Sequence, residues 1–302
     1  MGGAVLAGGC SGDGASRGSA VKPAADASTG TVDLGVTLRC PSAGPTPLEQ
    51  QLGACCYRRA NTDRRAQPQY RVAGLQFSQP QSLANALLTS ITTNSIDEER
   101  FNWLFTLEGA DDDGPVTIRT GSARRQRDGR FAFTRGAGGI PWDPVTIEGS
   151  LLGAIWQGGP ALQSVALVIF NPDGEHVDAE LPIRELRLAR AVMSPDRNCI
   201  GRRLLTSYDT DDGEVSGYLT LEDAGKVSVG IGGLDPIRLC MVLLGSPAAS
   251  GECSALPRGE WQFPPDARCD GAGCRSGGCD PLHDCNAWIV RGTFAAQAVE
   301  VE

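Results

Sequence analysis

Apolar and polar residues alternate along most of this chain, and the alternation indicates β-strands. Between Phe101 and Leu107, for example, the aromatic residues Phe101, Trp103 and Phe105 fall on one face. A period of two residues is typical of a strand that is buried on one side. The same kind of pattern predicts strands at Thr31–Arg39, Tyr70–Phe77, Pro115–Thr120, Arg130–Thr134, Val145–Leu151, Ser164–Phe170, His176–Ile183, Glu185–Val192, Glu214–Leu221, Val227–Ile231 and Ala287–Val299.

Two segments have the spacing of helices instead. Ser82 can cap a helix that ends near Asn94. A second helix begins at Pro236, in the first-turn position that proline favours, behind a possible cap at Asp235. Their apolar faces consist of Leu83, Leu87, Leu88 and Ile91 in the first helix and of Ile237, Cys240, Met241 and Leu244 in the second.

Turn sequences separate the predicted strands. Asp128-Gly129 and Pro172-Asp173-Gly174 are short connections of the kind that join antiparallel neighbours. The sequence therefore predicts a mainly β fold, an antiparallel β-sandwich or open barrel with two short helices and a disulfide-rich C-terminal loop. We expect one such domain over residues 31–302, or two lobes that divide near residues 194–213.

The first ten residues resemble the end of a bacterial lipoprotein signal. An apolar run, Ala4–Ala7, is followed by Gly8 and Gly9 and then by Cys10, the position that receives lipid in such proteins. No basic residue precedes the run, and Leu6 lies four rather than three positions before Cys10. We interpret residues 1–10 as a truncated lipoprotein signal with an acylated Cys10. The alternative is a flexible N-terminus with an idle cysteine.

Residues 11–30 are rich in Gly, Ser and Ala and predict a flexible tether, because such a segment buries little apolar surface. Ser11 directly after Cys10 resembles the residue choice that sends lipoproteins to an outer membrane. No stretch approaches the ~20 apolar residues that a membrane-spanning helix needs. The expected location is the cell envelope, as an outer-membrane lipoprotein that faces the periplasm or the cell surface.

Eleven cysteines are present, and ten of them follow Cys10. An even number fits up to five disulfides and an oxidising compartment. The disulfide candidates are Cys40, Cys55, Cys56, Cys199, Cys240, Cys253, Cys269, Cys274, Cys279 and Cys285. Their connectivity does not follow from their spacing.

Five of these cysteines lie between Cys253 and Cys285, among glycines that cannot form a local core. The favoured interpretation is a loop held by disulfides, which replace the missing core. There are two alternatives. One is a zinc site that includes His283, although the cysteine spacing matches no known zinc module. The other is a free reactive thiol. Because five is an odd number, at least one bridge must leave the cluster, with Cys199 or Cys240 as partner.

The formal net charge of −9 argues against nucleic acid as a partner, because phosphate binding needs a cationic face. One predicted hairpin is nevertheless rich in arginine. It is either a solvated loop tip or a patch for lipid phosphates or anionic polysaccharide. Its arginines are Arg119, Arg124, Arg125, Arg127, Arg130 and Arg135.

Residues for catalysis are scarce in this sequence. The two histidines are His176 and His283, and any Ser/His/Asp or Cys/His mechanism must use one of them. The acidic turns Asp111–Asp113 and Asp209–Asp212 do not match an EF-hand loop, so solvated turns are favoured over irregular calcium sites. We therefore predict no catalytic residue, no metal site and no cofactor.

Several short motifs together resemble a group of uncharacterised bacterial cell-envelope lipoproteins from GC-rich genomes. They are Leu6 to Cys10, Cys55-Cys56-Tyr57-Arg58, Phe101-Asn102-Trp103-Leu104, Cys199-Ile200-Gly201 and Cys285-Asn286-Ala287-Trp288. The group has no assigned activity. The resemblance therefore implies an envelope location and no mechanism.

The expected function is that of a membrane-anchored, secreted β-rich lipoprotein with a binding or structural role in the cell envelope. The first alternative is a carrier of lipid or another apolar ligand, since a strand, an amphipathic helix and successive antiparallel strands resemble the cradle of periplasmic lipoprotein carriers. In that case Phe101, Trp103 and Phe105 are the candidates that line the cavity. The second alternative is a hydrolase of envelope material. The expected partners are the membrane, through the lipid anchor on Cys10, and a ligand that is either a lipid or an envelope polysaccharide.

Overall fold

A computed structural model describes residues 28–31, 37–40, 60–61, 63–135, 142–172, 176–194, 196–203, 208–230, 236–246, 252–253 and 256–302. The predicted signal with Cys10, most of the predicted tether, and Cys55 and Cys56 lie outside these ranges. Two short strands, β1 (Ser28–Thr31) and β2 (Thr37–Cys40), pair antiparallel with each other. The sequence had predicted a single strand, Thr31–Arg39, in this region.

The remaining strands follow in chain order. They are β3 (Gln69–Gln79), β4 (Trp103–Glu108), β5 (Gly114–Arg125), β6 (Phe131–Phe133), β7 (Val145–Leu152), β8 (Ile155–Gly158), β9 (Val165–Phe170), β10 (Val177–Val192), β11 (Cys199–Ile200), β12 (Arg202–Arg203), β13 (Tyr208–Asp209), β14 (Gly213–Thr220), β15 (Ser228–Val229), β16 (Ile237–Arg238), β17 (Ala267–Asp270), β18 (Gly273–Ser276) and β19 (Ala287–Ala298). The helices within the described residues are α1 (Ala86–Asp97), α2 (Leu221–Lys226) and α3 (Leu239–Leu243), and Arg258–Glu260 form a 3₁₀ turn.

Eight strands form a closed antiparallel ring. Their order is β3-β4-β5-β7-β8-β10-β14-β19, and β19 pairs with β3 on one side and with β14 on the other. The last long strand of the chain therefore joins the first strand of the ring to the rest. The prediction of a mainly β, antiparallel fold is confirmed, and the pairings show in addition that the sheet closes on itself.

Large aromatic side chains fill the inside of the ring. The ring centroids of Trp103 and Phe105 are 4.8 Å apart, and Phe105 lies 5.3 Å from Phe294 and 5.7 Å from Trp156. All four side chains are fully buried. The indole N–H of Trp103 donates to the Thr120 hydroxyl over 2.7 Å, so this buried polar group is satisfied. The interior of the closed sheet is thus a packed core.

Strand β10 belongs to two parts of the fold. Its first half pairs with β9 as a hairpin, and its second half pairs with β8 and β14 in the ring. The sequence predicted two strands here, His176–Ile183 and Glu185–Val192. The structure has one strand because a bulge between Arg184 and Arg187, with Glu185 at a φ of 49°, changes the pairing partner without ending the strand. The β9–β10 hairpin therefore extends beyond the ring.

The helices differ from the prediction in their ends. Helix α1 is capped by Asn85, whose side-chain oxygen accepts from the Leu88 N–H over 2.9 Å, and not by Ser82. Residues 80–84 form a turn before the cap, in which Leu83 N–H donates to the Pro80 carbonyl. The predicted second helix starts at Leu239 and not at Pro236, because Ile237 and Arg238 pair with β15. Helix α2 was not predicted.

The predicted disulfide-rich C-terminal segment is confirmed. Bridges join Cys269 to Cys274 across the β17–β18 hairpin and Cys279 to Cys285 within the following loop. Cys240 on α3 is bonded to Cys253, so one bridge leaves the cluster. Cys199 is also disulfide-bonded. Helices within the described ranges are all too short or too polar to cross a membrane.

Candidate functional site

An apolar pocket lies where the β9–β10 hairpin meets helix α1, and we call it the hairpin pocket. It has about 80 Å³ of free volume. The side of α1 that carries Leu88 and Thr92 forms one wall, and Leu75 and Phe77 at the end of β3 form another. The other residues at this pocket are Leu83, Phe101, Leu167, Ile169, Ala179, Glu180, Leu181, Val229, Leu239 and Val242.

The alternation of the hairpin strands explains why one face is apolar here. Leu167 and Ile169 point to the hairpin pocket, and Ala166 and Val168 point to the other side, as neighbours in a strand must. The hairpin is held against the ring by the Ser122 hydroxyl, which donates to the Ala166 carbonyl over 2.8 Å and accepts from the Val168 N–H over 2.9 Å. The pocket therefore has a fixed wall on the hairpin side.

Glu180 of β10 is near two groups, the hairpin pocket and the indole of Trp142 on the other side of the hairpin. It pairs across the strands with Val168 and is one of the residues at the hairpin pocket. Burial raises the pKa of Glu180, and the nearby indole N–H of Trp142 acts in the opposite direction. Neither Glu180 Oε1 nor Trp142 Nε1 forms a hydrogen bond of regular geometry among the described residues, although the two groups lie close to each other.

A second pocket, which we call the arginine pocket, lies next to the opposite face of the hairpin. Its volume is about 330 Å³. The residues that line it are Arg124, Gln126, Ala132, Phe133, Thr134, Arg135 and Trp142. Trp142 packs against Phe170 of the hairpin, with the ring centroids 6.2 Å apart. This pocket is more polar than the first and contains cationic side chains.

The predicted arginine-rich hairpin is formed by β5 and β6, and its arginines have different surroundings. Arg125 pairs with Glu99 over 2.8 Å, and Arg130 pairs with Asp128 over 2.6 Å, so these charges are neutralised locally. The guanidinium group of Arg124 instead lies over the ring of Phe170, 4.2 Å from its centroid. Arg119 lies in the same way over Phe133 at 4.6 Å. Neither Arg119 nor Arg124 has an acidic partner within the described residues.

The three aromatic residues predicted to line a ligand cavity lie in different places. Phe101 is at the hairpin pocket. Trp103 and Phe105 are fully buried and belong to the packed interior of the ring. Alternation correctly places all three side chains on one face of the chain. Along this face, however, Phe101 lies at the pocket, and Trp103 and Phe105 lie in the core. The pocket therefore takes one of the three residues.

The groups considered for catalysis or metal binding lie apart from both pockets. His283 is exposed and bonds to Asp280 over 2.8 Å, and His176 is exposed at the end of the hairpin. Cys279, Cys285 and Asp284 lie within metal-ligand distance of one another, but the two sulfur atoms are joined as a disulfide and do not offer thiolates. In the first acidic turn, Asp113 accepts from the Gly153 N–H over 2.6 Å.

Thr134 and Trp142 are candidate residues that the sequence did not reveal. Neither stands in a recognisable motif. The predicted β5–β6 hairpin brings Thr134 near Arg124, but only the packing beside the β9–β10 hairpin brings Trp142 there. Arg124 itself was among the arginines that the sequence singled out. Comparisons with protein-family models, with curated proteins and with solved structures give no match. The resemblance to envelope lipoproteins consequently stays a prediction.

Proposed function

We propose that this protein is a binding module of the cell envelope, held at a membrane by lipid on Cys10, which accepts an apolar group of its ligand in the hairpin pocket. The observation that carries the proposal is the pocket itself, whose walls are apolar apart from Thr92 and Glu180. Apolar pockets with few polar groups are the usual form of ligand sites. The ten cysteines after Cys10 support an oxidising, extracytoplasmic location.

The size of the pocket favours partial insertion of a ligand over enclosure of a whole lipid. Sites for drug-sized ligands have volumes of roughly 300–1,000 Å³, whereas the hairpin pocket has about 80 Å³. The inside of the closed sheet is filled by Trp103, Phe105, Trp156 and Phe294. A short apolar group, such as the end of an acyl chain or a branched side chain, fits this space. For this reason we place the binding module before the lipid carrier.

The experiment that tests the binding function uses a fluorescent apolar dye, 1-N-phenylnaphthylamine, and a variant that fills the pocket. Ala179 is half-buried at the pocket wall, and Ala179→Phe adds an aromatic ring in a strand, where such residues are favourable. We expect the variant to bind the dye at least about tenfold more weakly, since most of the free apolar surface is then covered. The matched control is Ala189→Phe, an exposed position on the same strand.

Equal dye binding by the protein and by both variants would contradict a binding role for this pocket. A native mass spectrum of the purified protein gives a second measurement, because a co-purified apolar ligand adds mass that Ala179→Phe should remove. An intact lipid retained by the native protein and by Ala179→Phe alike would point to a site elsewhere.

The anchor is tested separately. We expect cells that express the native chain in a bacterial host to incorporate a labelled fatty acid into the protein and to retain it in the membrane fraction. Cys10→Ser should abolish the label and release the protein, because one removed attachment point removes all acyl chains. A label that persists in Cys10→Ser would exclude Cys10 as the lipidated residue.

A further inference from the structure

The arginine pocket is lined by residues whose buried polar atoms lack a regular hydrogen bond to any other described residue. Arg124 Nε, Thr134 Oγ1 and Trp142 Nε1 are buried, and none forms a hydrogen bond of regular geometry within the described part of the chain, although the Trp142 N–H lies beside the Glu180 carboxyl group. All three residues line the same pocket. Since about nine in ten buried polar groups in folded proteins are hydrogen-bonded, their concentration at one pocket points to a ligand that satisfies them.

We propose that the arginine pocket binds an acidic sugar unit, one with a carboxylate on its ring, from an envelope polysaccharide. The Nε edge of a guanidinium group forms two parallel hydrogen bonds with a carboxylate. The Thr134 hydroxyl can bond to a ring hydroxyl of the sugar. The ring of Phe133 and the indole of Trp142 offer apolar faces for the C–H groups of the sugar ring. This inference concerns a different pocket from the proposed function, and it rests on that proposal only for the envelope location of the polysaccharide.

The arrangement of charge favours a ligand that is anionic at one end only. Arg124 is free of a carboxylate partner among the described residues and is held over Phe170, so an anionic ligand can pair with it without first breaking an ion pair. Arg135 is a second cation at the pocket. At the Trp142 end, however, the Glu180 carboxyl group lies close to the indole. An anion is disfavoured at that end, whereas a hydroxyl group can bond to both residues.

The test is a titration of glucuronate into the full chain, followed by the NMR signal of the Trp142 indole N–H. Trp142→Phe identifies that signal. Glucose and inorganic phosphate are titrated in the same way. We expect glucuronate to shift the signal saturably, and glucose to bind at least about tenfold more weakly because it lacks the charge-assisted bonds to Arg124. Absence of a saturable shift, or phosphate binding as tight as that of glucuronate, would overturn the proposal.

Variants separate the site from the general charge of the protein. We expect Arg124→Gln to weaken glucuronate binding at least about tenfold and Thr134→Val about two- to tenfold, since the second change removes a neutral hydrogen bond. Arg127→Gln is the matched control, because Arg127 is exposed on the same hairpin and does not line the pocket. If Arg127→Gln weakens binding as much as Arg124→Gln, the effect is unspecific electrostatics and the site is refuted. Should Arg124→Gln fail to fold, the near-isosteric Thr134→Val decides alone.

Discussion

At the scale of single residues, Asp223 shows how one buried carboxylate joins a helix to the sheet. Its side chain, 9% exposed, accepts from Arg184 Nε on β10 over 2.6 Å and from the Thr220 hydroxyl over 2.8 Å. The Asp223 N–H in turn donates to Thr220 Oγ1 over 3.0 Å at the start of α2. Burial raises the pKa of Asp223, but the bonds from Arg184 and Thr220 outweigh it and hold the pKa below its usual range.

This lowered pKa predicts how stability depends on pH. A carboxylate with a lower pKa in the folded state contributes stability above its unfolded pKa of about 3.9, and this contribution is lost as the pH falls through the folded value. We expect Asp223→Asn to lower the free energy of unfolding by about 1.5–3 kcal/mol at pH 7. Below about pH 3.9 the difference from the native protein should shrink. Urea unfolding at pH 7 and pH 3 measures both, and a constant difference would refute the charge-based explanation.

The sequence indicates which residues share a face but not what covers that face. Alternation correctly grouped Phe101, Trp103 and Phe105, and the packing then divided them between the hairpin pocket and the core. The division depends on the β9–β10 hairpin, which lies more than 60 residues further along the chain from Phe101. Local patterns contain no information about such a distant neighbour. The arginine pocket could not be predicted from the sequence for the same reason, because Arg124 contacts Phe170 only in the folded protein.

At the scale of elements, the predictions were most successful for strands with clear alternation. The predicted strands Tyr70–Phe77, Val145–Leu151 and Ala287–Val299 match β3, β7 and β19 to within about two residues. Strand β8 was missed, because Ile155-Trp156-Gln157-Gly158 does not alternate between apolar and polar residues. The short strands β6 and β15 were nevertheless predicted, as Arg130–Thr134 and Val227–Ile231, so the clarity of the alternation matters more than the length of the strand.

The ends of elements depended on contacts that no local pattern contains. Helix α1 continues to Asp97, where the buried Arg71 of β3 donates to the Ile96 carbonyl and so satisfies a group at the end of the helix. For helix α2, in contrast, the sequence did contain a signal. Thr220 and Asp223 have the spacing of a cap followed by an acidic residue, which is typical of a helix start. Helix α2 could therefore have been predicted. It was missed because the predicted strand Glu214–Leu221 included its first residue, Leu221.

At the scale of the whole molecule, closure of the sheet is the property that the sequence could not supply. The ring closes because β19 pairs with β3 and β14 at once, over a sequence separation of more than 200 residues in the first case. Alternation predicts the strands but not their order. Closure also leaves β19 without a free edge along this segment, since both sides are hydrogen-bonded. The stability of the two halves of the chain should therefore be coupled through this strand.

Gly292 provides the test of this coupling, because it lies at the middle of the closing strand opposite Phe77 on β3 and Val215 on β14. A Cβ atom at this position would lie 2.7 Å from the Gln76 carbonyl oxygen and 3.3 Å from the Phe77 ring, so the backbones of β3 and β19 must separate. We expect Gly292→Ala to lower the free energy of unfolding by about 1–3 kcal/mol. Gly271→Ala is the matched control, because nothing lies within 4 Å of its added methyl group.

If the ring unfolds as one unit, tryptophan fluorescence and far-UV circular dichroism should shift together in Gly292→Ala. Two separate transitions would show that the strands on either side of β19 unfold independently, and closure would then contribute little to cooperativity.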